Sequence, residues 1–213
     1  MKFATKAIHA GQEPDPSTGA IMTPIYQTST YVQEAPGKNK GYAYARGKNP
    51  TRTALEKCIA SLENAKHGLC FSSGMGASDT IIKLLKPGDE VIATNDLYGG
   101  SYRMFEKVYS NYGIKFHYVE MSDANTISTI LNERPRNSSG QAKMLWVESP
   151  TNPMMKIIDI AACAQLAKEN NLILVVDNTF ASPYLQNPLE LGAHIVMHSV
   201  TKYIAGHSDV VMG

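Results

Sequence analysis

From Gly68 onward the chain alternates short apolar runs with amphipathic stretches, and this rhythm restricts the fold more than any other feature. Strands are expected over 69–72, 90–94, 114–119, 143–148, 172–177 and 194–198, and helices over 74–85, 99–112, 123–133 and 159–170. Gly113 is placed to close one helix, Asp159 to cap another, and Pro87-Gly88-Asp89 to turn the chain. Strand–helix alternation of this kind implies an α/β domain with a mainly parallel central sheet covered by helices on both faces. One earlier helix is expected to open at Asn49-Pro50. Asparagine suits the cap and proline the first helical position, and Leu55, Cys58, Ile59 and Leu62 then form one apolar stripe.

Residues 1–48 lack either periodicity. They are rich in Pro and Gly and carry Tyr26, Tyr31, Tyr42 and Tyr44. A structureless stretch of this length is no ordinary loop, and four tyrosines are too many for a solvated tail. It is expected to be an extended arm that folds against a second subunit, leaving 49–213 as a cofactor-binding α/β domain. The last residues, Asp209-Val210-Val211-Met212-Gly213, stop inside an apolar run. An unpaired apolar strand is a poor terminus, so the chain reads as the N-terminal portion of a longer protein.

In parallel sheets of this type, ligands bind beyond the carboxyl ends of the strands. Two apolar runs gain meaning from that rule. Leu172-Ile173-Leu174-Val175-Val176 ends on Asp177, and Ile195-Val196-Met197-His198 breaks into Ser199-Val200-Thr201-Lys202. An acid and a lysine would thus reach one sheet edge. Pyridoxal phosphate chemistry requires such a pair, the lysine to bond the cofactor and the acid to hold its ring nitrogen protonated. Ser199 and Thr201 add hydroxyls for its phosphate. Ser73-Gly74-Met75-Gly76 opens a helix with small residues, which exposes backbone N–H groups to an anion. It lacks GxGxxG spacing and a Walker lysine, which weighs against dinucleotide and P-loop readings. Tyr98 follows the second strand and Asn152 the fourth, at the same edge.

Composition excludes several classes. A net charge of +1 gives no basis for a nucleic acid or anionic membrane partner. No apolar run approaches a membrane span, and Met1-Lys2-Phe3-Ala4-Thr5-Lys6 lacks a signal-peptide core. Cys58, Cys70 and Cys163 are odd in number and lack metal-ligand spacing, so neither disulfides nor a metal site are expected. A reducing cytoplasm suits them.

Together the motifs resemble the cystathionine γ-synthase/γ-lyase family of pyridoxal phosphate enzymes, with its aspartate aminotransferase-like fold. The strings that carry the resemblance are Tyr42-Ala43-Tyr44-Ala45-Arg46, Gly47-Lys48-Asn49-Pro50-Thr51-Arg52, Ser73-Gly74-Met75, and Leu97-Tyr98-Gly99-Gly100-Ser101-Tyr102-Arg103. To these are added Glu148-Ser149-Pro150-Thr151-Asn152-Pro153, Val176-Asp177-Asn178-Thr179-Phe180, Thr201-Lys202-Tyr203 and Gly206-His207-Ser208-Asp209. The resemblance implies that Lys202 bonds the cofactor and shuttles protons, and that Asp177 pairs with the ring nitrogen. It implies that Gly74, Met75, Ser199 and Thr201 bind the phosphate, that Tyr98 stacks on the ring as a cofactor-binding and catalytic residue, and that Asn152 lies by the ring oxygen. Tyr44 and Arg46 resemble a pair reaching the phosphate of a neighbouring subunit, in a dimer or a dimer of dimers. Arg103 matches a position near the site without an assigned role, and His207 reads as a structural turn residue.

The activity implied is γ-replacement or γ-elimination on homoserine-ester or cystathionine-type amino acids. O-Acetylhomoserine sulfhydrylase and a non-catalytic cofactor-binding fragment stand as alternatives. Gly100 replaces the cysteine usual in methionine γ-lyases, and Ala43 departs from the acidic residue common at that position. The family's C-terminal domain has no counterpart in this sequence.

Overall fold

The computed structural model describes residues 1–133 and 142–213. The chain divides into two compact units, Met1–Cys70 and Phe71–Gly213. The helix expected to open at Asn49-Pro50 lies within the first unit.

In the first unit, α1 (Phe3–His9) packs on α2 (Pro50–Leu62). Lys6 Nζ secures the pair by donating to Ser61 O at 3.1 Å and Asn64 Oδ1 at 2.5 Å. No helix was expected before residue 49. Its sequence, Phe-Ala-Thr-Lys-Ala-Ile-His, buries no residue fully, so the apolar stripe that reveals a helix is missing. α2 starts as expected, with the Asn49 side chain accepting from the N–H groups of Thr51 and Arg52 at 2.9 and 3.4 Å. Between the helices, Asp15 accepts from Ser17, Thr18 and Tyr26 and folds the chain on itself. A ragged antiparallel pairing follows, with Tyr31 N–H donating to Ala43 O and Ala45 N–H to Ser29 O. Ile25 and Val32 remain 85% and 94% exposed.

The second unit holds a five-stranded sheet: β1 (Glu90–Thr94), β2 (Lys115–Val119), β3 (Ala142–Glu148), β4 (Ile173–Asp177) and β5 (Ile195–Met197). All neighbours pair in parallel, in the order β2-β1-β3-β4-β5. Successive residues of each strand enter opposite cores, as the strand's period of two demands. Ile92, Leu145, Val147, Leu174 and Val176 face α5 (Ala124–Glu133) and α6 (Ile160–Glu169). Val91, Ala93, Met144, Trp146 and Val175 face α3 (Gly74–Ile82) and α4 (Gly99–Lys107). The expected parallel α/β architecture with two covered faces is thus present. Asp159 caps α6 by accepting from Ala162 N–H at 2.9 Å. Gly113, at φ +80°, ends the turn of 3-10 helix over Tyr109–Tyr112.

Several boundaries differ from expectation. The run 69–72 forms no strand. Phe71 instead exchanges two backbone hydrogen bonds with Gly213, at 2.7 and 3.0 Å. Of the terminal run, Gly213 is thus paired with Phe71 and Met212 N–H donates to Thr201 Oγ1, while Val210 and Val211 stay exposed. The helix expected over 74–85 stops at Ile82, and that over 99–112 breaks at Val108, where φ is −115°. A four-residue helix α7 (Ser182–Leu185) was not expected. Cys58 and Cys163 are buried free thiols, Cys70 is half-buried and free, and burial pushes the Cys163 thiol up to about 12.

Candidate active site at the carboxyl edge of the sheet

The sheet order reverses at β1, whose two neighbours are β2 and β3. Crevices form at such switch points, beyond the carboxyl ends of the strands. Tyr98 and Asn152 follow β1 and β3 at that point, while Asp177, Ser199, Thr201 and Lys202 lie at the ends of β4 and β5 along the same carboxyl edge.

Asp177 is the last residue of β4 and lies in register with Met197 of β5. Its carboxyl is buried. Oδ1 accepts from Thr179 N–H at 3.0 Å and Thr179 Oγ1 at 2.5 Å, while Oδ2 receives no hydrogen bond among the described residues. Burial raises the carboxyl's pKa, opposed by the two Thr179 bonds and by the nearby His198. The bonded oxygen orients the group and the other remains available to a cationic partner.

Thr179 also joins the two strand ends. Its Oγ1 accepts from Ser199 N–H at 2.8 Å. Past Ser199 the backbone coils tightly, with Lys202 N–H donating to Ser199 O at 3.0 Å and Gly206 N–H to Lys202 O at 2.9 Å. Lys202 is thereby exposed on the wall of a cleft of about 560 Å³, lined also by Phe180, Thr201, Tyr203 and Asp209. Thr201 Oγ1 accepts from Met212 N–H at 3.0 Å and lies 3.2 Å from Met212 O, so this hydroxyl is already engaged by the chain's last segment.

The N-terminus of α3 faces Ser199. Ser73 caps the helix by accepting from Gly76 N–H at 3.0 Å, and no acceptor among the described residues takes the N–H of Gly74 or Met75. Two unsatisfied donors at a positive helix end form an anion cradle. A Cβ at residue 74 would lie 2.8 Å from Ser199 Cβ, so only glycine allows this approach. Met75 sends its side chain into the apolar core and offers only its backbone. Gly213 is likewise a required glycine, because a Cβ there would run into the Ser73 backbone.

Tyr98 sits just before α4 and is 42% exposed, with its ring folded over Gly100. Any side chain at 100 would collide with that ring. Tyr98 N–H donates to Glu148 Oε2 at 2.9 Å, and the backbone of Asn152 lies close to the same carboxyl. The loop carrying Asn152 is pinned further by Asp96, which accepts from Thr151 Oγ1 at 2.5 Å and Met154 N–H at 3.0 Å, and by the Lys156–Glu120 ion pair. Sequence reasoning assigned no role to Glu148, Thr179, Asp96 or His198. Thr179 could have been found from its Asp-x-Thr spacing, which forms a local side-chain turn.

Tyr44 and Arg46 belong to the other unit. There the Arg46 guanidinium lies 4.9 Å from the centre of the Tyr44 ring, and both side chains are exposed. Arg52 gathers the carbonyls of Ala45, Arg46 and Gly47, which fixes the turn that presents them. Among the described residues no cluster of His, Cys, Asp and Glu could hold a metal ion, and no helix is long and apolar enough to cross a membrane.

An anion cradle, an accessible lysine, a buried acid with one open oxygen and a half-exposed tyrosine ring match the parts of pyridoxal 5'-phosphate. The glycine-only approach between α3 and Ser199 is the observation that fits the phosphate. Comparison with known proteins agrees. The chain is 53% identical over 210 residues to cystathionine beta-lyase of Coxiella burnetii, covering 98% of this chain and 52% of that protein. It is 51% identical over 211 residues to a probable cystathionine gamma-synthase of Herpetosiphon aurantiacus, covering 99% of this chain and 64% of that protein. The crystal structure of cystathionine gamma-lyase from Lactobacillus plantarum complexed with L-serine superposes with a TM-score of 0.93 at 43% identity, over 100% of this chain and 54% of that one. The chain thus spans between half and two-thirds of the length of these relatives. The model of the Cys/Met metabolism PLP-dependent enzymes matches residues 4–213, and the chain belongs to that family.

Proposed function

We propose that this chain carries the cofactor-binding part of a trans-sulfuration enzyme of the cystathionine γ-synthase or γ-lyase type. Its substrates are homoserine-ester or cystathionine-type amino acids, processed by γ-replacement or γ-elimination. The observation that carries this reading is the convergence of Asp177 and the Lys202 turn at one sheet edge, tied together through Thr179. When bound, pyridoxal 5'-phosphate supplies an electron sink for negative charge at the substrate's α-carbon.

The chain's own residues then have distinct tasks. The N–H groups of Gly74 and Met75 and the Ser199 hydroxyl hold the phosphate, with Thr201 beside them. Asp177 would pair with the ring nitrogen, Tyr98 would stack on the ring and Asn152 would lie by the ring oxygen. Lys202 would hold the cofactor and move protons at the substrate carbons. Tyr44 and Arg46 add a cation to a phosphate held by a neighbouring copy, in a dimer or a pair of dimers. The exposed Ile25 and Val32 of the same unit suit an assembled protein. The free cysteines and near-neutral net charge suit a cytoplasmic enzyme with no nucleic acid partner.

The test uses the full-length protein. Borohydride reduction should fix the cofactor covalently on Lys202, and Lys202→Ala should abolish both the visible absorption band and the labelling. Reducible cofactor that remains attached to the alanine variant would remove the assignment. Assay with cystathionine and with homoserine esters separates lyase from synthase.

A further inference from the structure

Glu148 closes β3, which borders the switch point between β1 and β3, and lies in direct cross-strand register with Asp177 of β4. Both carboxyl groups are buried. Among the described residues neither is paired with a lysine or arginine. Two buried neighbouring carboxylates repel each other, and one of them must give up its charge. Their surroundings decide which. Asp177 has His198 nearby and two bonds from Thr179. Glu148 has two acidic neighbours, Asp177 and Asp96, and accepts from the backbone of Tyr98, with the backbone of Asn152 close by. Those two residues are the ones that flank the cofactor ring in the proposed site.

We propose that Glu148 is a positioning residue of the cofactor site: its uncharged carboxyl ties down the backbone of Tyr98 beside Asn152 and leaves Asp177 as the anion facing the ring nitrogen. This inference rests on the proposed cofactor site and assigns a further residue to it. The electrostatics agree, since burial, with Asp177 and Asp96 adding to it, pushes the Glu148 carboxyl up to about 9.

The sign of the pH dependence follows. In the unfolded chain the carboxyl titrates at an ordinary glutamate pKa, about 4.3. Folding therefore takes up a proton between there and about 9, and stability falls as pH rises through that window. Glutamine keeps the shape and the carbonyl acceptor without a titrating proton.

The experiment compares full-length wild type, Glu148→Gln and Glu148→Ala by cofactor affinity and by melting temperature between pH 5.5 and pH 8.5. The glutamine variant should gain in Tm over wild type as pH rises, while holding the cofactor within a few-fold of wild type. The alanine variant should lose about tenfold in cofactor affinity, the size expected for one forfeited hydrogen bond, and should shift the visible band of bound cofactor. A glutamine variant with no pH-dependent Tm advantage overturns the proposal, as does an alanine variant that binds cofactor like wild type. Borohydride labelling of Lys202 in the same samples separates the two levels. Absence of labelling in wild type overturns the proposed site and this inference together. Labelled wild type with unaltered variants overturns only the role of Glu148.

Discussion

Asp177 gives the residue scale its sharpest test. Its carboxyl is buried and raised by that burial, yet Thr179 binds one oxygen twice and leaves the other open. A charge-assisted hydrogen bond to a cationic ring nitrogen is worth about 1.5–3 kcal/mol. At about 1.4 kcal/mol per pKa unit, that amounts to one to two units of added basicity at the ring. Asp177→Asn keeps the size of the side chain and an oxygen for Thr179, so the cofactor should still bind while turnover falls by orders of magnitude. Near-normal kcat in this variant would show that the aspartate only braces β4 against β5. Asp177 and Lys202 could be identified because each ends a clear apolar run. Glu148 ends one just as clearly, but its role comes from neighbours on other strands and in other loops.

Among the elements, α3 matters most to the site. Ser73, Gly74 and Met75 start it with one side-chain cap and two open N–H groups, pointed at the turn after β5. Gly74→Ala would add a Cβ 2.8 Å from Ser199 Cβ, forcing apart the two walls of the anion cradle. Titration of the full-length protein with pyridoxal 5'-phosphate should show affinity reduced about tenfold or more, as expected for at least one lost hydrogen bond. Unchanged affinity would mean that the phosphate lies elsewhere. Helix starts were legible where Asn49, Ser73 and Asp159 supply a capping side chain. The ends of α3 and α4 were not. Nothing in Ile81-Ile82-Lys83-Leu84-Leu85 announces a stop at Ile82, because apolar residues continue beyond it while the backbone turns away.

At the scale of the whole molecule, the proposed placement of Tyr44 and Arg46 makes the dimer the smallest complete unit. Two-fold symmetry would have each copy lend its arm to the other's site. Mixing full-length Arg46→Ala with Lys202→Ala tests this. With shared sites, a mixed dimer has one site bearing both lesions and one bearing neither, so activity should return on mixing. Random pairing makes about half of the dimers mixed, which sets the level to expect. Demonstrated subunit exchange without recovered activity would assign the arm to its own chain.

The parallel sheet, its two apolar faces and the pair of residues at one edge were legible in the sequence, because burial on both faces and a period of two leave a pattern along the chain. Strand order and register were not, since parallel partners are chosen by packing between segments far apart in sequence. Register sets Glu148 beside Asp177, and tertiary contact sets Phe71 against Gly213. The consequences that depend on such neighbours, two buried carboxyls side by side and a Gly213 hydrogen-bonded to Phe71, were decided only by the tertiary structure. Desolvation and repulsion act between groups brought together in space, and no periodicity records them.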